Sequence, residues 1–303
     1  MKAEFIRFLQ ESLPIPFGFT DKYADYSGEE VSRIIKDELE RDKPSLICKI
    51  GYTELNCILS CTNLVVGSLS PIKLILKSAT DAKNKISIKS GFFPNDDENI
   101  HQFARLLLDD MQHIDILGSW LKHERYLKKE LNGKIKVKAA DLEPYFHKEP
   151  WTEALAGKTV LVIHPFETSI KHQYSNRDKL FENKKILPEF SLKTIRAVQS
   201  RENNEVNFSS WWEALDYMKR KIDKVEFDIA ILGCGSYSLP LGAYIKRRGK
   251  KAIHLGGATQ ILFGIKGSRW EEREDFRKFF NSYWSKPLAD DIPGKITKSD
   301  SYW

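Results

Sequence analysis

Cysteine is scarce in this chain, and the long apolar runs that a membrane-spanning helix needs are absent. The 303 residues include four cysteines, a usage that suits a reducing cytosol. Cys57 and Cys61 lie four residues apart in an apolar run without a second Cys/His pair at zinc-ligand spacing, so we interpret them as packing residues. No apolar stretch approaches the roughly 20 residues of a membrane span. The charged start MKAEFIRFLQESL has no signal-peptide core. We expect a cytoplasmic protein, with contact to the inner face of the membrane left open.

A concentrated basic stripe is also missing. Lysine and arginine total 48 against 42 acidic residues, which gives a formal net charge of +6, and the two signs are interspersed along the chain. Nucleic-acid binding usually needs basic residues gathered on one face, so we expect no nucleic-acid partner. A weak attraction to anionic phosphates or membrane surfaces remains compatible with this charge.

What the sequence does contain is a repeated order of short apolar run, glycine turn and amphipathic run. The clearest example is Phe227–Trp270. There, the strand Asp228–Leu232 leads into Gly233-Cys234-Gly235-Ser236, a helix follows over Leu239–Arg248, and the strand Ala252–Leu255 ends at Gly256-Gly257. This order predicts two parallel strands joined by a crossover helix. Open α/β sheets bind ligands at the carboxyl ends of their strands, so both glycine turns are expected at one binding edge.

The same pattern recurs along the chain. A strand predicted over Ser45–Ile50 is followed by Gly51 and a helix over Glu54–Leu64, and a strand over Thr159–Ile163 ends at His164. Further strands are predicted over Ile114–Leu117, Lys134–Ala139 and Phe190–Ala197. Such alternation predicts an α/β protein with a Rossmann-like, mostly parallel sheet flanked by helices.

Helices are predicted in seven further segments: Glu4–Leu13, Ser27–Leu39, Pro71–Ala82, Asn99–Gln112, a charged stretch ending at Leu131, Trp211–Ile222 and Glu271–Trp284. We therefore divide the chain into an N-terminal helical leader (1–43), a Rossmann-like domain (44–286) and an extended tail (287–303). A subdivision of the central domain near residue 150 stays open.

The glycine turns are candidates for binding a phosphorylated cofactor. Gly233-Cys234-Gly235 begins a Gly-x-Gly-x-x-Gly fingerprint, but Ser238 replaces its third glycine and the next strand ends at His254 instead of an acid. Both features count against a dinucleotide and against S-adenosylmethionine. Free amides at a glycine turn and a helix start still favour an anion such as phosphate. The cofactor-binding candidates are Gly51, Gly233, Gly235, Ser236, Gly256, Gly257, Thr259, Gln260, Lys266 and Arg269. The alternative is that the glycines only allow close packing of helix and strand.

Three titratable residues are candidates for catalysis: Glu54, His164 and His254. Each follows or ends a predicted strand, where a carboxylate or imidazole can exchange protons with a ligand. Glu54 could also hold a divalent cation, or simply stabilise the first turn of a helix. Either histidine could instead be a hydrogen-bonded structural residue. No Walker loop, Gly-x-Ser-x-Gly elbow or His-Glu-x-x-His motif is present.

Several segments together resemble a bacterial family, the GT-D fold group of glycosyltransferases encoded in surface-polysaccharide and glycan clusters. They are CKIGYTEL from Cys48, PWTEALAGKTVLVIHPF, LPEFSLKTIRAVQS, the stretch Phe227–Trp270 and the terminal SYW. The resemblance covers the chain from about Pro44 onward and is densest after Trp151. It implies a Rossmann-like enzyme that transfers a sugar from a nucleoside-diphosphate sugar, most simply a UDP-sugar, to a glycan or lipid-linked acceptor. A homodimer is a further option.

In that family an Asp-x-Glu motif engages the donor through Mn²⁺ or Mg²⁺. The aligned residues here keep Glu54 but have Tyr52 in place of the Asp, and the lost oxygen ligand weakens the case for a metal. Lys266 and Arg269 could neutralise a diphosphate instead. Two alternatives stay open: another nucleotide-dependent transferase, such as an S-adenosylmethionine methyltransferase, and a non-catalytic partner in polysaccharide assembly.

Overall fold

A seven-stranded sheet forms the centre of the protein. The structure is a computed structural model that describes residues 20–61, 79–293 and 302–303. All six pairings between neighbouring strands are parallel, and the spatial order is β3-β2-β1-β7-β6-β4-β5. The strands are β1 (Ser45–Cys48), β2 (Ile116–Ser119), β3 (Ile135–Lys138), β4 (Thr159–His164), β5 (Ser191–Arg196), β6 (Ile229–Leu232) and β7 (Lys251–His254). The predicted Rossmann-like α/β class is confirmed.

Alternating side chains of the strands pack into two separate hydrophobic cores, one on each face of the sheet. In a strand, successive side chains point to opposite faces. Accordingly, Leu46 and Cys48 of β1 belong to one core while Ile47 belongs to the other. Strand β4 divides in the same way, with Leu161 in the first core and Val162 in the second. Because both faces are covered, every residue of β1, β2 and β6 is buried, as expected of a parallel sheet. The edge strands β3 and β5 carry charged residues and are partly exposed.

Helices cover both faces. They are α1 (Glu29–Glu40), α2 (Tyr52–Cys61), α3 (Ala79–Ser90), α4 (Asp97–Met111), α5 (Glu167–Tyr174), α6 (Arg177–Leu180), α7 (Trp211–Ile222), α8 (Ser238–Arg247), α9 (Ala258–Leu262), α10 (Ser268–Glu271) and α11 (Glu274–Arg277). Short 3-10 turns lie at Lys122–Tyr126, Ala139–Leu142, Pro144–Phe146, Trp151–Leu155, Arg201–Asn203, Gly235–Tyr237 and Ala289–Asp291. Within the described ranges, no helix is both long and apolar enough to cross a membrane.

Helices α7 and α1 show how local sequence determines these elements. Helix α7 begins where the Ser210 hydroxyl accepts a hydrogen bond from the Glu213 amide, 3.2 Å away, which satisfies one free N–H of the first turn. Helix α1 buries Val31, Ile35 and Leu39 in the second core. The part of the predicted leader that the structure describes is therefore packed against the sheet.

Two predicted helices are wrong. The charged stretch before Leu131 forms only the 3-10 turn Lys122–Tyr126, because the buried Glu124 carboxylate accepts hydrogen bonds from the Ser119 hydroxyl and from the amides of Trp120 and Leu121. The predicted final helix Glu271–Trp284 breaks at Arg273, whose backbone is extended (φ −95°, ψ 121°), and only α10 and α11 form. The predicted helix Glu4–Leu13 and residues 62–78, which include most of Pro71–Ala82, lie outside the described residues.

Candidate functional site

A cavity of about 700 Å³ opens at the carboxyl ends of β1, β7, β6 and β4. Its size is in the range of roughly 300–1,000 Å³ that is typical of small-molecule sites. These four strands are consecutive in the sheet, so the segments that follow them meet at one edge. The lining includes Gly51 after β1, His164 at the end of β4, Gly233 after β6 and Gly256 after β7.

Two cations in the lining, Lys49 and Arg269, have no carboxylate within ion-pair distance among the described residues. Lys49 follows β1 directly. Burial lowers the pKa of its ammonium group, the charge of Arg269 lowers it further, and Glu143 opposes the shift. The Arg269 guanidinium donates to the Tyr302 hydroxyl at 3.4 Å and lies 5.6 Å from the centre of the Trp270 ring. The two cations form an electropositive centre whose charges are open to an anionic ligand.

The other two cations of the lining, Lys89 and Arg201, are engaged within the protein. The Lys89 ammonium pairs with Glu202 at 2.8 Å. The Arg201 guanidinium donates to the Lys89 carbonyl at 2.7 Å and lies 4.8 Å from the centre of the Tyr302 ring. They therefore shape the cavity wall and add positive potential to it.

Glu54 lies in the first turn of α2 and turns back toward the strand end. Its carboxylate accepts a hydrogen bond from the Thr53 hydroxyl at 2.9 Å. The same carboxylate occupies the space that a Cβ on Gly51 would need. Glycine at position 51 thus lets an acid approach the end of β1, where it lines the cavity together with Tyr52.

His164 is a neutral imidazole with a defined tautomer. Burial lowers its pKa to about 3. Its Nδ1 accepts a hydrogen bond from the Phe166 amide at 3.0 Å, so the proton must be on Nε2. His164 therefore provides a hydrogen-bond donor at neutral pH and is a weak base.

His254 is neutral as well. Burial is the main cause of its pKa of about 3, and the nearby Lys49 charge adds to the shift. Its Nδ1 lies 3.3 Å from the Cys48 sulfur, and burial raises the pKa of that thiol well above its usual range. The thiol therefore stays protonated, and the pair forms a buried neutral contact between β1 and β7.

The glycine after β6 is required by close packing. A Cβ on Gly233 would lie 2.5 Å from Cδ2 of His164 and 2.8 Å from the Gly256 carbonyl oxygen. Gly235 and Gly256 adopt φ values of +59° and +60°, which non-glycine residues rarely adopt. Both glycine turns that the sequence singled out line the same cavity.

Four of the predicted cofactor-binding side chains do not line the cavity: Ser236, Thr259, Gln260 and Lys266. The Ser236 hydroxyl accepts from the Trp211 indole and donates to the Ser90 carbonyl. Thr259 is fully buried. The Gln260 amide donates to the carbonyls of Lys266 and Tyr302. The Lys266 ammonium lies 5.6 Å from the centre of the Phe280 ring. These side chains support the structure around the cavity.

The residues that line the cavity do not fit a metal centre. Among the residues that the structure describes, no group of three or more His, Cys, Asp or Glu side chains could hold a metal ion. The resemblance implies Mn²⁺ or Mg²⁺ at Glu54, but Tyr52 supplies no carboxylate there. Hard divalent cations need several oxygen ligands, so a single carboxylate is a poor site for them.

The terminal residues complete the cavity. Tyr302 and Trp303 line it beside Phe166, so the predicted extended tail ends in contact with the site. The sequence reasoning gave no role to Lys49, Arg201 or Glu143. Lys49 could have been found from its position directly after a predicted strand, but nothing local marks Arg201 or Glu143, which enter the cavity from loops.

Comparison with known proteins gives little further information. No family model and no curated protein matches the chain. Among solved structures, it is similar to one described as the selenomethionine-substituted structure of a domain of unknown function 1792 (DUF1792). That match has 13% identity and a TM-score of 0.36, and it covers 85% of this chain and 83% of that one. We draw no functional conclusion from a likeness at this level.

Proposed function

We propose that the protein transfers a sugar from a nucleoside-diphosphate sugar to a glycan or polysaccharide acceptor. The observation that supports this most is the pair Lys49 and Arg269, two cations in a cavity of about 700 Å³ with no carboxylate paired to them among the described residues. They lie beside two glycine turns at neighbouring strand ends. The resemblance of the sequence to GT-D glycosyltransferases points to the same donor class.

A diphosphate suits this centre for electrostatic reasons. Hydrogen bonds between cations and phosphate oxygens are roughly twice as strong as neutral ones. Mutual repulsion between Lys49 and Arg269 is relieved when an anion binds between them. As the bond between sugar and diphosphate breaks, negative charge grows on the leaving oxygen, and fixed cations stabilise that charge. In this proposal Lys49 and Arg269 replace the metal.

The titratable groups receive different roles. Glu54 is the candidate for accepting a hydrogen bond from a sugar or acceptor hydroxyl, since its carboxylate lines the cavity. With pKa values of about 3, His164 and His254 are neutral at physiological pH. We assign them hydrogen bonding to the ligand instead of proton transfer. A lipid-linked acceptor, contact with the membrane face and a homodimer remain predictions.

Calorimetric titration with UDP, GDP and pyrophosphate, with and without Mn²⁺, tests the proposal. Lys49→Ala and Arg269→Ala each remove a charge-assisted hydrogen bond of about 1.5–3 kcal/mol, so we expect roughly 10- to 150-fold weaker binding. Lys266→Ala is the matched control. It removes a cation from the same sequence region whose ammonium lies on the Phe280 ring, and its affinity should equal that of the wild type.

Three outcomes would argue against the proposal. A wild-type protein that binds none of these ligands cannot use a nucleotide sugar. Tight binding of S-adenosylmethionine alone would favour the methyltransferase alternative, although its sulfonium cation would meet two like charges. Nucleotide binding without sugar transfer to any glycan acceptor, combined with normal polysaccharide output from a Glu54→Ala strain, would favour the non-catalytic partner.

A further inference from the structure

The aromatic pair Tyr302-Trp303 is held against the cavity by its main chain. The Tyr302 carbonyl accepts a hydrogen bond from the Gln260 side-chain amide at 3.0 Å. The Trp303 carbonyl accepts from the Ser268 backbone amide at 3.2 Å. A Cβ on Gly257 would lie 2.7 Å from the Tyr302 ring. The ring can therefore occupy this position only because residue 257 is glycine. The two hydrogen bonds to main-chain carbonyls and the close contact with Gly257 hold the backbone of Tyr302-Trp303 in place at the cavity wall.

Tyr302 lies between two arginines of the cavity. The Arg201 guanidinium lies over one face of its ring, 4.8 Å from the centre. The Arg269 Nη1 atom donates to its hydroxyl at 3.4 Å. Tyr302 thereby restricts the position of Arg269, one of the two cations assigned to the diphosphate.

Trp303 carries an unused hydrogen-bond donor. Its indole N–H is buried and has no acceptor among the described residues. The ring packs edge-on against Phe166 with 5.3 Å between ring centres, and Phe166 in turn contacts the His164 ring. A buried donor without an acceptor costs free energy. The Trp303 ring lines the cavity, so a turn of this ring that brings its N–H to a ligand oxygen would remove that cost.

We propose that Tyr302-Trp303 is the element of the site that recognises the ligand. Trp303 donates a hydrogen bond to the organic part, either to a carbonyl oxygen of the base or to a ring oxygen or hydroxyl of a sugar. Tyr302 is a positioning residue that holds Arg269 for the phosphates. This inference depends on the proposed function and adds residues for specificity to it.

Trp303→Phe tests the first role, because it keeps an aromatic ring on Phe166 and removes the N–H together with part of the indole. The probes are pyrophosphate, UDP, UDP-glucose, GDP and GDP-mannose, titrated by calorimetry. We expect about 3- to 10-fold weaker binding of the nucleotides or of their sugar esters, as for the loss of one hydrogen bond. Pyrophosphate affinity should stay unchanged. A loss already seen with UDP or GDP shows that Trp303 contacts the nucleoside, and a loss confined to the sugar esters shows that it contacts the transferred sugar.

Thermal stability without ligand gives an independent measure. Trp303→Phe loses part of its ring and an unsatisfied donor but no satisfied hydrogen bond, so its Tm should fall less than that of Trp284→Phe. Trp284→Phe is the matched control: its N–H donates to the Leu180 carbonyl at 2.9 Å, away from the cavity. That variant should have a lower Tm and unchanged binding.

Tyr302→Phe tests the second role. It keeps the ring under Arg201 but removes the hydroxyl that accepts from Arg269, so it should weaken pyrophosphate binding about 2- to 10-fold.

The possible failures are distinguishable. If the wild type binds nucleotides and Trp303→Phe and Tyr302→Phe bind them equally well, this inference is overturned and the proposed function stands. A Trp303→Phe variant with unchanged affinity and a Tm lowered as far as that of Trp284→Phe shows a purely structural residue and also overturns it. If the wild type binds no probe, the proposed function fails and this inference fails with it.

Discussion

At the scale of single residues, the cavity depends on a missing side chain at Gly233. The three atoms nearest to a Cβ there belong to the His164 ring, the Gly256 carbonyl and the Thr259 hydroxyl, all within 2.8 Å. A backbone carbonyl cannot rotate away as the end of a long side chain can. Three strand ends therefore approach one another only because position 233 is glycine.

Gly233→Ala should lower the free energy of unfolding by about 1–3 kcal/mol, the usual cost of overpacking, and should weaken nucleotide binding because His164 and Gly256 must shift. Urea unfolding and calorimetry measure both effects. Gly249→Ala is the control: φ there is +79° and no atom lies within 4 Å of the new Cβ. This variant loses stability only because alanine disfavours a positive φ, and it should bind nucleotides as the wild type does. Wild-type stability and binding in Gly233→Ala would contradict the packing described above.

His164 should make stability depend on pH. Its pKa is about 3 in the folded protein and about 6.5 in the unfolded chain. The unfolded chain therefore takes up a proton as pH falls below 6.5, while the folded protein does not until about pH 3. Stability is lost on acidification at about 1.4 kcal/mol per pH unit for this group, or roughly 2 kcal/mol between pH 7 and pH 5.

The measurement is urea unfolding at pH 7 and pH 5 for the wild type and His164→Asn, whose side-chain oxygen can accept the Phe166 amide. The stability lost between the two pH values should be smaller in the variant by roughly 2 kcal/mol. The raised pKa of Asp110, about 6 because of burial, acts in the opposite direction, but it is present in both proteins and cancels. Equal pH dependence of the two proteins would show that the pKa of His164 is the same in the folded and unfolded chain, and would contradict this prediction.

How much of the site the sequence predicts depends on where each residue lies relative to a strand. Glu54, His164 and His254 are predicted because they stand at or just after predicted strand ends, and all three line the cavity. Arg201 was missed because it reaches the cavity from a loop after β5, and a loop path depends on tertiary packing. Lys266 was placed in the site on sequence proximity alone, and its side chain packs on Phe280 instead.

At the scale of elements, amphipathic periodicity predicts helices reliably in this chain, whereas a run of charged residues does not. Helix α7 has the bounds that its apolar spacing predicts, Trp211–Ile222. The predicted helix Glu271–Trp284 failed because its aromatic residues pack against distant parts of the chain. Phe276 is buried against Tyr145 and Phe146, and Trp284 donates to the Leu180 carbonyl. These contacts require the chain to turn within the segment, which a single continuous helix cannot do.

Helix α1 should be essential to stability, although it lies in the predicted leader. Ile35 is fully buried in the second core, and its neighbour Ile34 is only partly buried against the same core. Ile35→Ala should cost about 2–5 kcal/mol of unfolding free energy, and Ile34→Ala less than half of that cost. Urea unfolding of the two variants measures the difference. Equal small losses would mean that α1 is loosely attached.

At the scale of the whole molecule, strand order argues against cutting the chain near residue 150. Strand β1 lies between β2 and β7, and its register pairs Ile47 with Ile116 on one side and Ile253 on the other. A fragment that ends near residue 150 would leave β1 with an open apolar edge. One sheet therefore spans both halves of the chain.

Fragments 1–150 and 151–303 should each fail to fold alone and should associate when produced together. Circular dichroism and size-exclusion chromatography of the separate and co-expressed fragments test this expectation. Full-length protein should unfold in urea in a single transition, with the same midpoint by circular dichroism and by tryptophan fluorescence. A fragment 1–150 that unfolds cooperatively by itself would show that the subdivision near residue 150 is real.

The late position of β7 has a consequence for synthesis on the ribosome. Ser45 of β1 pairs with Lys251 of β7, so 206 residues (251 − 45) separate the first central strand from its neighbour. At translation rates of about 5–20 residues per second, roughly 10–40 s pass between the synthesis of β1 and that of β7. Throughout this interval the nascent chain presents an unpaired strand edge, which is a template for aggregation. Synonymous codons that slow translation between residues 150 and 250 should therefore reduce the soluble yield of an unchanged polypeptide.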